Sequence, residues 1–243
     1  MNAPLLRVAG VTKRFRGVVA VNDVSLDVPA GSICGLIGPN GAGKSSLFNL
    51  ITGYLPLTAG EIWFAGRRID GMDTHLIAEA GIARGFQIAK PFPELSVLDN
   101  VRMGALFGRA GPRDVAAATE GALALTGLAD LADRPAMTLT VGYLRRLELA
   151  RAIAQRPVLL LADEPCAGLN PTETEEIVGI LRQVRDRGVT ILLVEHDMRA
   201  VMSVSDRIFV LDAGSKIAEG APAEVARDPR VIAAYLGAPE AAG

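Results

Sequence analysis

The chain has 243 residues, half of them hydrophobic, with 25 Lys and Arg against 27 Asp and Glu for a formal net charge of −2. So even a balance excludes a dedicated nucleic-acid binder, which would be basic, and no nucleic-acid partner is expected. The length suits one sizeable domain or a domain with an inserted subdomain. The two cysteines, Cys34 and Cys166, provide neither a disulfide framework nor a metal-ligand spacing, so two reduced thiols in a cytosolic protein are expected. The opening "MNAPLLRVAG" lacks a signal-peptide pattern. No apolar run approaches the roughly 20 residues that span a bilayer, so any membrane role must come through a partner.

Along the chain, "VVAVNDVSLDV" alternates apolar and polar residues and "GEIWFAGRRI" follows a glycine; both predict strands of an antiparallel flank. "SICGLIG" (32–38) is a dense Val/Ile/Leu-type run, the mark of a strand covered on both faces. It leads into "GPNGAGKSSLFNLITG", a glycine-rich loop opening a helix. Through residues 88–155, Ala and Leu dominate and β-branched residues thin out, which predicts an inserted, mostly helical subdomain. Its last part, "LTVGYLRRLELARA", begins as a loop and continues as a helix, with Leu144, Leu147, Ala150 and Ala154 on one face, Arg145 and Arg151 each placed to pair with Glu148, and Pro157 as the stop.

Three more buried strands are predicted at "VLLLAD" (158–163), "VTILLVEH" (189–196) and "RIFVLD" (207–212). A helix starts after "AGLN", where Asn170 as N-cap, Pro171 at the first position and Glu173 at the third form a capping-box arrangement. Residues 214–243 are expected as a short C-terminal tail of two helices broken at Asp228-Pro229. The fold class expected is α/β: a P-loop NTPase core with an antiparallel β flank and the helical insertion, all one domain over 1–243.

The chemistry concentrates at strand ends. Gly38, Pro39, Asn40, Gly41, Ala42, Gly43, Lys44 and Ser45 give the full G-x-x-x-x-G-K-S pattern between a predicted strand and a predicted helix. Backbone N–H groups there converge on phosphate oxygens, and the helix N-terminus adds its positive dipole end. Lys44 is expected on the β- and γ-phosphates of a nucleoside triphosphate, with the Ser45 hydroxyl on Mg²⁺ and Ser46 beside it. Asp163 and Glu164 close the strand "VLLLAD". The capping box frees this acid pair from helix capping, so Asp163 suits an outer-sphere or water-mediated Mg²⁺ contact and Glu164 the polarisation of an attacking water. His196, one of only two histidines, ends another core strand and is expected to contact the γ-phosphate.

Taken together, these motifs resemble the ATP-binding subunits of ABC transporters over nearly the whole length. Residues 38–45 match Walker A, residues 159–163 match Walker B with Glu164 as catalytic glutamate, and His196 matches the switch histidine. The resemblance adds roles for Gln87 in "ARGFQIAKPF" as the Q-loop residue, catalytic and on the metal, and for Phe15 in "TKRFRG" as the ring that stacks on adenine. "AGLNP" resembles the D-loop, with Asn170 where many members have Asp. "LTVGY" falls where the signature LSGGQ belongs. Thr140 keeps the hydroxyl and Gly142 the glycine that face a second subunit's ATP, while Tyr143 departs from Gln.

"RRLELARA", "VEHDM" and the ending "RVIAAYLG" resemble the branched-chain amino acid importer subgroup. The resemblance implies a head-to-tail dimer with a second, identical or homologous ATP-binding subunit, on the cytoplasmic face of the cell membrane. It implies integral membrane permease subunits as direct partners and an extracytoplasmic solute-binding protein as an indirect one. Phe92 and Leu95 in "KPFPELSV" are read either as part of the permease-binding groove or as core of the helical segment. Two other functions compete: a nontransport ABC ATPase, which would usually carry two nucleotide domains or coiled-coil insertions, and a P-loop kinase of small molecules, which would not need the signature-like loop and Asp-Glu-Pro in this order.

Overall fold

Strand residues divide between two cores by simple alternation. The computed structural model describes residues 3–85, 91–109 and 114–236. In β3 (Ile33–Ile37), Cys34 and Leu36 join one hydrophobic core while Ile33 and Ile37 join another. The same division holds in β7 (Leu159–Asp163), β8 (Thr190–Val194) and β9 (Arg207–Asp212). Successive side chains point to opposite faces, and here both faces are covered; hence the unbroken apolar runs.

These strands form a six-stranded sheet in the order β10-β9-β3-β8-β7-β6, with β6 (Ile82–Gly85) at one edge and β10 (Ser215–Gly220) at the other. All pairings are parallel except β9–β10. A second sheet, β2-β1-β4-β5, is the antiparallel flank: β1 (Leu6–Phe15), β2 (Val18–Val28), β4 (Ala59–Phe64) and β5 (Arg67–Arg68). Between the sheets lies α1 (Lys44–Ile51), whose Leu47, Phe48 and Ile51 are fully buried in the first core. The other face of the parallel sheet is covered by α6 (Pro171–Asp186) and α7 (Met198–Val204). The short α2 (Thr74–Ala80) leads into β6.

The inserted segment is helical as expected and has its own core. Val97 and Val101 of α3 (Val97–Leu106), Val115 and Ala122 of α4 (Val115–Thr126), and Leu147, Ala150 and Ala154 of α5 (Val141–Ala154) pack together. Leu149 and Ala152 of α5 turn instead to the sheet, so this helix belongs to both bodies. The stretch expected as a tail contains α8 (Pro222–Val225) and α9 (Pro229–Leu236), but it opens with β10, an integral strand of the main sheet. Ala213 and Gly214 both have positive φ, 44° and 82°, and make the tight turn that folds β10 back on β9.

Candidate functional site

The loop after β3 folds around two glycines that no other residue could replace. A Cβ on Gly38 would lie 2.1 Å from the carbonyl oxygen of Leu211, and one on Gly43, at φ 101°, would lie 2.4 Å from that of Ala20. Gly43 caps α1, and Lys44 is its first residue. A cleft of about 300 Å³ opens over this helix start, lined by Ala20, Asn40, Gly41, Ala42, Gly43, Lys44, Ser45, Ser46, Glu164 and His196. The Lys44 ammonium donates to the carbonyls of Gly38 (2.7 Å) and Pro39 (3.0 Å). Burial pulls its pKa below the ordinary lysine range, and the Glu164 and Asp163 carboxylates push the other way.

Across the cleft, Glu164 sits at φ 50°, a left-handed conformation unusual for a side chain of this size. Its N–H donates to the Val194 carbonyl (2.8 Å), and its Oε1 lies 2.9 Å from Nε2 of His196. Such backbone strain on a buried carboxylate is typical of functional positions. Asp163 lies deeper. Its Oδ2 accepts from the Arg84 guanidinium at 2.5 Å, while its Oδ1 is buried without a hydrogen-bond partner among the described residues.

Two residues of this site were not anticipated. Arg84, on edge strand β6, is one. The other is Glu195, which is buried: its Oε1 accepts from the N–H of Cys166 (2.6 Å) and its Oε2 from those of His196 (2.8 Å) and Asp197 (3.3 Å). It thereby joins the segment after Glu164 to the segment carrying His196. A carboxylate directly after the apolar run of β8 and directly before His196 is its signal in the sequence.

Thr140 and Gly142 lie outside this cleft. Thr140 is the N-cap of α5 and is exposed, and Gly142 is buried in its first turn. A Cβ at Gly142 would fall 2.5 Å from Oε1 of Glu173, whose Oε2 accepts from the N–H of Asn170 in the expected capping box. Tyr143 is exposed, with the Arg146 guanidinium over its ring at 5.3 Å. Arg151 pairs with Glu148 at 2.7 Å as expected, and Arg145 donates to the Ala167 carbonyl in the loop after β7. Phe15 ends β1, with Lys13 over its ring, and is not among the residues lining the cleft. Gln87 falls outside the described residues. Phe92 and Leu95 are exposed, at 44% and 38%, rather than core.

Among family models, the one for "ABC transporter" matches residues 21–167, more than half of the chain. The chain belongs to the ABC transporter family. A model for "Branched-chain amino acid ATP-binding cassette transporter" also matches, at residues 215–241. The ABC chain is 42% identical to the high-affinity branched-chain amino acid transport ATP-binding protein LivG of Salmonella typhimurium and 40% identical to BraF of Pseudomonas aeruginosa, in each case over 98% of this chain and 99% of the relative. Among solved structures, an ATP-binding cassette of an ABC transporter in its ADP conformation superposes with a TM-score of 0.88 at 30% identity, covering 97% of this chain and all of the other. A nucleotide-free cassette gives 0.87 at 31% identity over 96% and 99%. As an ABC ATPase, the chain binds ATP and ADP and couples ATP hydrolysis to transport.

Proposed function

We propose that this ABC ATPase drives import of branched-chain amino acids or related small solutes, with Glu164 and His196 as its hydrolytic pair. The observation that carries the proposal is the 2.9 Å contact between these two side chains at the edge of the Lys44 cleft. Phosphoryl transfer to water needs an oriented water and stabilised charge on the leaving phosphate. The Glu164 carboxylate orients the water, and the His196 ring holds that carboxylate and reaches the γ-phosphate. Lys44 leaves its two loop carbonyls for the phosphates, and the 38–46 loop supplies N–H donors. Phe15 stacks on adenine at the end of the flank.

The donor set suits Mg²⁺: the Ser45 hydroxyl, Gln87, and Asp163 with one oxygen buried and uncommitted. The cation, when bound, would neutralise charge on the phosphates. Thr140, exposed at the N-cap of α5, and Gly142 in its first turn cover the nucleotide of a second ATP-binding subunit, identical or homologous.

A groove of about 470 Å³ lies between the cassette core and the helical insertion (88–155). Tyr54, Phe92, Leu106, Phe107 and Arg151 are among its lining residues, and the four apolar ones of these are exposed. It is the seat we assign to the integral membrane permease subunits, which place the chain on the cytoplasmic face of the membrane. Among the described residues no helix is long and apolar enough to cross a membrane. The extracytoplasmic solute-binding protein acts through the permease. The end-to-end match to transport ATP-binding proteins weighs against a nontransport ATPase or a small-molecule kinase.

The test is purification of the chain with its genomic neighbours, followed by reconstitution in vesicles. ATP-dependent uptake of leucine, isoleucine or valine, lost with Glu164→Gln, is expected. Co-purification with no integral membrane protein would overturn the transport assignment.

A further inference from the structure

Arg84 occupies a position that the hydrolysis reaction, as described above, leaves unexplained. It projects from β6, the edge strand beside β7. One arm of its guanidinium, Nη1, donates to Oδ1 of Asn49 on α1 at 2.6 Å; the other, Nη2, donates to Oδ2 of Asp163 on β7 at 2.5 Å. The guanidinium also lies over the Phe48 ring of α1, 5.6 Å from its centroid. The side chain is 10% exposed, and that of Asp163 is 3% exposed. One planar cation thus spans the helix that begins with Lys44 and the strand that ends in Asp163.

We propose that Arg84 is a positioning residue for the metal: it clamps α1 to β7, occupies one oxygen of Asp163, and leaves the other, Oδ1, to serve the cation directly or through a bound water. The inference rests on Asp163 serving Mg²⁺, as proposed above. A buried carboxylate with both oxygens unpaired would be costly and free to rotate. With Oδ2 held by a charge-assisted bond, the carboxylate plane is fixed and its charge is retained. The fork geometry matters because two acceptors on two different elements are held at once. A lysine ammonium lacks the planar two-armed donor set that does this. The arrangement parallels the outer partners of metal ligands in general, whose loss costs about 10- to 100-fold in metal affinity.

The test uses the full chain loaded with ADP, and Mn²⁺ as the probe, with free Mn²⁺ counted by electron paramagnetic resonance. Affinity for ADP alone is measured in parallel in EDTA with a fluorescent analogue. Arg84→Ala and Arg84→Lys are both expected to weaken Mn²⁺ binding about tenfold or more while leaving metal-free ADP affinity unchanged. Should the alanine variant not fold, the lysine variant, which keeps the buried charge, decides the matter alone. Wild-type Mn²⁺ affinity in Arg84→Lys overturns the proposal, as does an equal loss of metal-free ADP binding, which marks a merely structural clamp. Asp163→Asn separates the premise from the inference. If Asp163→Asn keeps wild-type Mn²⁺ binding, it is the magnesium role of Asp163 that fails. If it loses binding while the Arg84 variants do not, only the role of Arg84 fails.

Discussion

Oε1 of Glu164 and Nε2 of His196 stand 2.9 Å apart across the mouth of the cleft, carried by loops that follow two adjacent parallel strands, β7 and β8. We predict that Glu164→Gln keeps the side chain's shape and its contact with His196 but removes the base. ATP hydrolysis should fall by at least ~100-fold, the low end for a lost general base, with ATP affinity retained. Rates by phosphate release and affinity by nucleotide titration provide the check; a variant that turns over like the wild type removes Glu164 from the reaction.

For Glu195 the expectation is different, because it meets backbone and not substrate. Its carboxylate holds the N–H groups of Cys166 and His196. Glu195→Gln turns one of these into a donor facing a donor. A loss of ~1.5–3 kcal/mol in stability is predicted, the range for hydrogen bonds to a charged group. kcat should drop and ATP affinity should hold, since Lys44 and its loop are untouched. Urea unfolding alongside steady-state kinetics tests both parts, and an unchanged unfolding midpoint contradicts the prediction.

The signature-like loop needs a more careful probe than a charge at Gly142. Any side chain there meets Glu173 inside the same chain, so Gly142→Asp sets two carboxylates together whether or not a second subunit's phosphate approaches. We predict that Gly142→Ala alone disturbs the Asn170–Glu173 capping box and costs ~1 kcal/mol, the usual worth of a cap. Thr140→Ala should leave stability unchanged, because the Thr140 side chain makes no capping bond, and should lower only the hydrolysis rate of the assembled dimer. Tyr143→Gln should raise that rate by no more than about tenfold, as one net hydrogen bond is worth ~1 kcal/mol. A rise of several hundredfold would mean that the natural loop is nearly inactive.

The buried thiols give a pH prediction. Burial raises the pKa of Cys34, and burial together with Glu195 raises that of Cys166 further. A raised acid keeps its proton in the folded chain at pH values where the unfolded chain has lost it. The stabilisation is therefore full below the unfolded thiol value of about 8.5 and declines as pH rises through and above it, by up to ~1.4 kcal/mol per pH unit per thiol. Unfolding midpoints from pH 8 to 10 should fall more steeply for the wild type than for Cys34→Ala/Cys166→Ala. Parallel curves would contradict it.

The local motifs are legible in the sequence alone. The 38–45 loop, the strand ending in Asp163-Glu164, and the Asn170–Glu173 box are each written within a few consecutive residues. Their geometry depends on backbone angles and on the periods of helix and strand. The buried strands were equally plain, since both faces of β3, β7, β8 and β9 are covered. The edges were harder: β6 has four residues and β10 is largely polar, because an edge strand needs less apolar sequence than a central one. What only the tertiary structure decided is which distant residues meet. Arg84 lies 79 positions from Asp163 and Glu195 lies 29 from Cys166, and each pair forms because the sheet order sets β6 and β8 on either side of β7. Strand order is a property of the whole packed sheet, and no local pattern in either partner encodes it.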